Sequence, residues 1–443
     1  MTSPNDPHYE REKAMRTRIG ARAGAAIAIA LPLALTGCSA FGVGGDDGDG
    51  ATLTFQSLAF QDTTIAATQD IVDAWNDEHP DTQVELVQGS WDNVHDQLVT
   101  QFQGGTAPDI IHDESADIMG FAKQGYLADL SPYLSDEVTG AVSDDVWQAV
   151  TAQDGSVVAA PTLLQSYVVF ANTGALADAG VEVPAGETLN WDDFQTMAKE
   201  LTGDGTYGVG WGMKQPTAAV MNLALGFDGT FFTGEGEDTQ IEVGENELAV
   251  PERIHTMAYE DQSLDPVSLT QSGSDVLPGF FDGKYALYVA GNYVAQQLVE
   301  SAPEGFDWAV LPPLAGTAGA VQAANPQTMS VAAESDHVEE AAEFIDFFMQ
   351  PEHQAALAEG DWLIPASSEA RAQVAEDTAG ENGWEAILAS GDGLSAAPFQ
   401  AAVNYPQWKD QYATPALQQY LADEISLDEL KTQLVDGWSE LGL

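Results

Sequence analysis

The sequence predicts an α/β fold, because β-rich runs alternate with stretches of helical periodicity over most of the chain. Residues 52–55 and the alternating run 83–87 favour strands, and residues 109–112 favour a third. Apolar side chains at helical spacing over 65–75 and 94–102 predict helices between these strands. Such alternation favours a mainly parallel sheet, whose ligands bind beyond the carboxyl ends of the strands. We therefore expect a binding site where these three strands end.

The later chain repeats this alternation. Residues 168–170 and 285–290 predict buried strands, and residues 191–201 predict a helix with Asn190 or Asp192 available as its cap. Two further helices are predicted from capping pairs that precede apolar periodicity, at Asp336 with Glu339 and at Ser426 with Glu429. The α/β pattern therefore extends to the end of the chain.

The N-terminal region combines the features of an export signal and a lipid anchor. A basic segment precedes the apolar run 23–35, which is too short to span a bilayer and is typical of a signal peptide. The Leu-Thr-Gly-Cys sequence that ends at Cys38 resembles the bacterial lipobox, whose cysteine carries lipid and begins the mature protein. We expect a signal peptide over 1–37, lipidation of Cys38, and a flexible acidic tether over 38–50. Because Cys38 is the only cysteine, no disulfide can form within the chain.

The charge balance excludes several classes of partner. The chain carries a formal net charge of −57, and its first 37 residues hold five of its 13 basic side chains. The mature part therefore lacks the Lys and Arg clusters that bind nucleic acid or an anionic membrane surface. The excess of acid favours solubility, as in saline surroundings, and weighs against an anionic ligand.

The chain also lacks the usual signs of catalysis. Residues 203–208 have the glycine spacing of a dinucleotide-binding loop, but they follow a predicted helix and precede a predicted strand. A phosphate site needs the reverse order, so we interpret the segment as a turn. The sequence contains no nucleophile elbow and no histidine pair at metal-ligand spacing. We predict no catalytic residue, no metal site and no cofactor.

Nine collinear segments together resemble the extracellular solute-binding proteins of family 1. They cover nearly the whole mature chain, at residues 75–81, 104–110, 125–130, 161–172, 191–194, 281–287, 310–314, 341–345 and 351–354. The resemblance implies a two-lobe, type II periplasmic-binding-protein-like fold, with hinge strands joining two α/β lobes around a central cleft. The expected lobes have the boundaries 51–162 with 293–334 for lobe 1, and 163–292 with 335–443 for lobe 2.

The family resemblance implies a transport function without chemistry. The expected protein is anchored through Cys38 to the outer face of the cell membrane, as a monomer. It captures a mono- or oligosaccharide by cleft closure and delivers it to the permease subunits of an ABC importer, which a cytoplasmic ATPase drives. Two alternatives stay open: a secreted glycan-active enzyme, and a binding protein for a non-sugar solute such as a glycerophosphodiester, an osmolyte or a peptide.

The resemblance also implies which residues contact the ligand. In the family pattern, the candidates are Gln61, Asp62, Asp113, Glu114, Gln165, Gln215, Thr217, Asn292, Tyr293, Trp362 and Trp408, with Tyr412 as the alternative to Trp408. Flat aromatic faces cover the apolar patches of a sugar ring, and amides and carboxylates bind its hydroxyls. Asp113 stands where relatives have an aromatic residue, which indicates a ligand other than a maltodextrin. Core packing explains three further candidates equally well, namely Trp91, Tyr167 and Trp211.

Overall fold

A computed structural model describes residues 50–203, 205–234, 238–402 and 404–441. The predicted signal peptide, the lipidation site Cys38 and the tether up to residue 49 lie outside the described residues. Among the residues that the structure does describe, no helix is both long enough and apolar enough to cross a membrane.

The first sheet has five strands. Their order is Thr82–Gln88, Ala51–Ser57, Ile110–Glu114, Gln327–Val331 and Ala160–Pro161. The first three are parallel, as predicted, and are connected by the helices Asp62–Glu78 and Val94–Gly104. Gln327–Val331 runs antiparallel to both of its neighbours and joins the sheet from a distant part of the chain.

The second sheet has four strands. Their order is Trp308–Val310, Tyr167–Asn172, Tyr285–Gly291 and Tyr207–Trp211. Only the last two strands of this order pair in parallel. Tyr285–Gly291 is buried along its full length, which fits its continuous apolar sequence. Residues 203 and 206 form the predicted turn, with a bridge between Gly203 and Thr206.

Helices cover both sheets. The α-helices beyond the two already given are Ser115–Lys123, Asp136–Ala141, Asp144–Gln148, Thr173–Ala179, Trp191–Glu200, Pro216–Ala224, Glu245–His255, Gly273–Phe281, Val294–Ser301, Val338–Phe348, Pro351–Asp361, Ser368–Thr378, Trp384–Ser390, Pro398–Ala401, Tyr405–Trp408, Thr414–Leu421 and Leu427–Glu440. Asn190 caps its helix, and the Ser426–Glu429 capping box forms as predicted. The Asp336–Glu339 pair does not cap, because that helix begins one residue later, with His337 at the N-cap position.

Two segments contact a different sheet from the one that the expected lobe boundaries imply. Trp308–Val310 was expected in lobe 1 but pairs with the second sheet, although Gln327–Val331 joins the first. The helix Val338–Phe348 was expected in lobe 2, yet the Phe344 ring lies 5.8 Å from that of Phe55 in the first sheet. The lobe boundaries stay a prediction, and these contacts favour moving both segments to the other lobe.

Candidate functional site

A cavity of about 580 Å³ lies where segments of both sheets meet. Its wall is formed by Phe60, Ser90, Trp91, Asp92, Glu114, Gln165, Tyr167, Ala218, Asn222, Tyr293, Asn325, Gln327, Asp361 and Leu363. The volume is within the range of pockets that enclose small ligands. Aromatic rings, side-chain amides and carboxyl groups dominate this wall.

The first sheet contributes the segments that follow its parallel strands. Phe60 lies three residues beyond Ser57, and Ser90–Asp92 lies just beyond Gln88. Glu114 is the last residue of its strand. The carboxyl ends of parallel strands meet at one edge of a sheet, so these side chains gather there.

The second sheet and the helix that follows it contribute the opposite wall. Tyr167 begins one strand, and Tyr293 follows another. A side chain at Gly291 would approach the Tyr293 ring to 2.5 Å and the Gln165 amide nitrogen to 3.0 Å, so glycine is needed for both to reach the cavity. Ala218 and Asn222 share one helix face because they are four residues apart.

Hydrogen bonds fix the orientation of the cavity amides. The Asn325 side-chain oxygen accepts from the Ser115 hydroxyl at 2.9 Å, and its nitrogen donates to Glu114 Oε2 at 2.8 Å. The Asn222 side-chain oxygen accepts from the Ala323 N–H at 2.8 Å. The Asn222 amide nitrogen carries two protons, the kind of donor that a ligand hydroxyl in this cavity would accept from.

His112 orients Gln327 from behind the wall. The Leu58 N–H donates to His112 Nδ1 at 3.1 Å, so the proton of a neutral ring lies on Nε2, which donates to Gln327 Oε1 at 3.0 Å. Burial lowers the pKa of His112 to about 4, which keeps the ring neutral near pH 7. The side chain of Gln327, held through its oxygen by His112, lines the cavity.

Two of the carboxyl groups in the wall are desolvated. Asp361 ends the helix Pro351–Asp361 and is 2% exposed. Burial raises the pKa of Asp361 to about 6, although hydrogen bonds from Thr64 and Gln61 lower it in part. Burial also raises the pKa of Glu114, although the Asn325 bond and the charge of Lys409 lower it. Both groups are strong hydrogen-bond acceptors when ionised.

Three of the predicted ligand residues line the cavity, namely Glu114, Gln165 and Tyr293. The cavity wall also includes Trp91 and Tyr167, for which the sequence favoured core packing equally. The third such residue, Trp211, is 1% exposed and packs against Trp191 in the core.

Three predicted residues near the first sheet are not part of the wall. Gln61 is buried, and its amide donates to the Asp361 carbonyl at 3.4 Å. Asp62 is exposed in the first turn of its helix. Asp113 is 1% exposed because successive side chains of a strand point to opposite faces, and Glu114 takes the cavity face.

Asn292 and Trp362 hold the segments around the cavity together and do not line it. Asn292 is fully buried, accepts from the Ser166 N–H at 3.0 Å and donates to the Trp362 carbonyl at 2.7 Å. The Trp362 ring stacks on Trp384 at 4.8 Å between centroids. The neighbours of these residues, Tyr293 and Asp361, are the ones that line the wall.

The remaining predicted residues lie outside the described cavity wall. Gln215 is exposed before its helix, and the Thr217 hydroxyl bonds that of Thr414 at 2.7 Å inside the protein. Trp408 is fully buried, and its indole N–H donates to the Leu434 carbonyl at 2.9 Å. Trp408 is therefore not in the described cavity wall, and its ligand role stays a prediction. The Tyr412 hydroxyl donates to Glu440 outside the cavity.

Sequence reasoning missed several members of the wall. These are Phe60, Ser90, Asp92, Ala218, Asn222, Asn325, Gln327, Asp361 and Leu363. Phe60, Ser90 and Asp92 follow predicted strands, so position alone was the available signal. Gln327 begins a strand that reaches the first sheet from a distant part of the chain, and Asn325 lies just before it, so no local pattern marks either residue.

The chain matches the family model described as bacterial extracellular solute-binding protein over residues 61–355. A lipoprotein of Streptomyces antibioticus, from the oleD 5′ region, is 42% identical over 423 residues, which are 94% of this chain and 91% of that protein. The diacetylchitobiose binding protein DasA of Streptomyces coelicolor is 22% identical over 338 residues, 74% of this chain and 76% of that protein.

A solved structure of similar fold is the GacH receptor of Streptomyces glaucescens, determined unliganded and in complex with acarbose. It superposes with a TM-score of 0.73 at 20% identity, covering 88% of this chain and 98% of that chain. This similarity confirms the predicted fold, a two-lobe type II periplasmic-binding-protein-like architecture.

Proposed function

This chain belongs to the bacterial extracellular solute-binding protein family, and from that membership we propose that it binds a sugar in the described cavity and delivers it to an ABC importer. The observation that carries the proposal is the composition of the wall. Trp91, Tyr167 and Tyr293 offer ring faces, while Gln165, Asn222 and other amides offer donors and acceptors for hydroxyls.

The proposed mechanism is capture by closure of two lobes. A solute that contacts both walls binds the closed state more tightly than the open state and so shifts the population toward closure. The closed protein then docks on two permease subunits, and a cytoplasmic ATPase pair drives release. The protein would act as a monomer without a cofactor. The family consists of solute-binding proteins, which weighs against the glycan-active enzyme.

A thermal-shift screen tests the sugar proposal. The protein would be heated with mono- and oligosaccharides, polyols and phosphorylated solutes, and an upward shift is expected with one sugar class. A ligand at a hundred times its dissociation constant adds about 2.7 kcal/mol to the free energy of unfolding. A shift with phosphorylated solutes alone would contradict the proposal, and hydrolysis of the bound sugar would support the enzyme instead.

Replacing Tyr293 by alanine is expected to weaken binding of the best sugar in that screen by about 1–3 kcal/mol, because an aromatic face is lost. Calorimetric titration measures this change, and the melting temperature reports whether the fold persists. Y293F serves as the matched control, because it keeps the ring and should retain most of the affinity. Equal affinity of Y293A and the unchanged protein would remove Tyr293 from the site.

Replacing Cys38 by serine is expected to release the protein from membranes, because the thiol is the only possible point of lipid attachment in the proposed lipobox. Cell fractionation followed by immunoblotting measures the distribution. The control is S39A, which alters the neighbouring residue and should stay with the membrane. Membrane retention of C38S would refute the lipid anchor, whose support is the lipoprotein relative from S. antibioticus.

A further inference from the structure

The cavity wall contains negative charge without a basic counterpart. Asp92, Glu114 and Asp361 line it, and no Lys, Arg or His belongs to the described residues of the wall. Within the same part of the chain, none of the ion pairs includes Glu114 or Asp361. A buried carboxylate without a paired cation is destabilised relative to water.

The neighbours of these carboxyl groups are mostly neutral. Asp361 accepts from the Thr64 hydroxyl, and Glu114 accepts from the Asn325 amide at 2.8 Å. The positive charge of Lys409 lowers the pKa of Glu114, but Lys409 is outside the wall. Its Nζ lies 3.9 Å from Oδ1 of Asp410, with which it is paired. Burial raises the pKa of both Asp361 and Glu114, as expected for charges that lack full compensation.

Asp265 shows that the protein can compensate a buried carboxylate where the fold requires it. Asp265 is 2% exposed, like Asp361, and its Oδ2 accepts from the Lys284 ammonium at 2.6 Å and the Tyr285 hydroxyl at 2.8 Å. Basic residues are scarce in this chain, yet one is placed on Asp265 and none is placed in the cavity. The cavity carboxylates therefore lack the counter-charge that Asp265 receives from Lys284.

The aromatic part of the wall suits the same kind of ligand. Phe60, Trp91, Tyr167 and Tyr293 line the cavity together with the carboxyl groups. Ring faces attract ammonium groups through their quadrupole, with Trp and Tyr the strongest of the three ring types, and they also stack on sugar rings. A solute with a protonated amine on a hydroxylated ring would use the rings, the amides and the carboxylates at once.

We infer that the solute of this cavity is an amino sugar with a free, protonated amine, whose charge is held by Glu114 and Asp361. This inference rests on the proposed sugar-binding function and narrows its substrate class. A neutral sugar would leave both carboxylates buried without a cation, whereas an ammonium group forms charge-assisted hydrogen bonds to them.

Matched sugars separate this inference from the proposed function. The protein, purified from membranes in detergent, would be titrated at pH 7 with glucosamine, galactosamine and the β-1,4-linked glucosamine dimer. Each is compared with its N-acetylated form and with the form that carries a hydroxyl at the same carbon. We expect every sugar that binds as an amine to bind at least tenfold more tightly than its two neutral counterparts.

Charge-removing variants give a second, independent measurement. In D361N and E114Q, the preference for the amine over its neutral counterparts should fall toward one. D70N removes a carboxylate from an exposed helix position and should keep the full preference. Circular dichroism would verify that each variant is folded.

The possible outcomes distinguish the two claims. Equal or tighter binding of the neutral sugars would overturn the amino-sugar inference and leave the sugar-binding function intact. An amine preference that persists in both D361N and E114Q would also overturn it, because the carboxylates would not be its cause. Failure of all these sugars to bind would overturn the amino-sugar inference, and the thermal-shift screen with other sugars would then decide the sugar-binding function.

Discussion

Replacing Asp113 by asparagine is expected to stabilise the protein, by up to about 4 kcal/mol at pH 7. Asp113 is 1% exposed, and its Oδ1 accepts from the Glu114 N–H at 2.8 Å. Its Oδ2 has no hydrogen-bond partner among the described residues. Burial, followed by the nearby charge of Asp117, raises the pKa of Asp113 from 3.8 to about 9.

The raised pKa makes stability depend on pH in a definite direction. The folded protein keeps the Asp113 proton up to pH about 9, whereas the unfolded chain releases it above pH 3.8. The unfolded state therefore gains stability as pH rises through this window, and folding loses it. Asparagine has no proton to release, keeps the bond from Glu114 and presents an amide donor toward Asp117. The advantage of D113N should be small at pH 4 and largest above pH 9.

Asp109 provides a matched control of opposite sign. Although burial raises the pKa of Asp109, hydrogen bonds from Ser335 and Thr54 lower it below its usual value. The Ser335 hydroxyl donates at 2.6 Å, and the Thr54 N–H donates at 2.8 Å. D109N should therefore destabilise the protein at pH 7, and this loss should diminish as the pH falls through the range in which the carboxyl group takes up its proton.

Equilibrium urea denaturation followed by tryptophan fluorescence would measure these changes at several pH values. The expected pattern is a midpoint that moves up for D113N and down for D109N at pH 7. A lower midpoint for D113N at every pH would show that Asp113 is ionised and paired in the folded protein. The affinity of D113N for sugar should remain unchanged, because the side chain is not in the cavity wall.

The fold could be predicted well from local patterns, since strands and helices depend on periodicity that the sequence displays directly. The three parallel strands and the Ser426–Glu429 cap follow from spacing alone. The strand Gln327–Val331 could be placed only by tertiary structure, because its partners Ile110–Glu114 and Ala160–Pro161 are more than 150 residues away. No local rule fixes pairings of that kind.

The binding site was harder to predict, because the register of each strand decides which of its side chains face the cavity. Asp113 and Glu114 are adjacent on one strand, so their side chains must diverge, but the sequence does not say which of them meets the cavity. Asn292 and Tyr293 are likewise adjacent, in the turn after the strand Tyr285–Gly291, and the sequence does not say which of them meets the cavity. Trp408 illustrates another difficulty, since an indole that suits a sugar equally suits a core, and its neighbours Phe232 and Trp438 come from distant segments.

Two possible roles of Asn292 can be separated by experiment. The family resemblance implies a ligand contact, whereas the structure shows a buried side chain that links two segments. Its side chain joins the segments that carry Gln165, Tyr293 and Asp361 through bonds to the backbone of Ser166 and Trp362. N292A would leave a buried N–H and a buried carbonyl without partners. Each such group costs about 1–3 kcal/mol, so we expect a loss of about 2–5 kcal/mol in unfolding free energy.

Two further variants sharpen the test of Asn292. N292D keeps the acceptor for the Ser166 N–H but replaces the donor by a carboxylate oxygen facing the Trp362 carbonyl, so it should destabilise at least as much as N292A. N246A alters an exposed asparagine and should change the free energy of unfolding by less than about 0.5 kcal/mol.

The comparison of stability with affinity decides between the two roles. If Asn292 serves to hold these segments together, N292A should lower the urea midpoint strongly and weaken sugar binding only as far as the cavity walls shift. A ligand contact predicts the reverse, with normal stability and a selective loss of affinity, and that result would return Asn292 to the site. Because the side chain is fully buried and both of its polar atoms are bonded to backbone groups, it presents no accessible polar atom to a solute. The expected result is therefore a protein that unfolds more readily and, while folded, still discriminates among sugars.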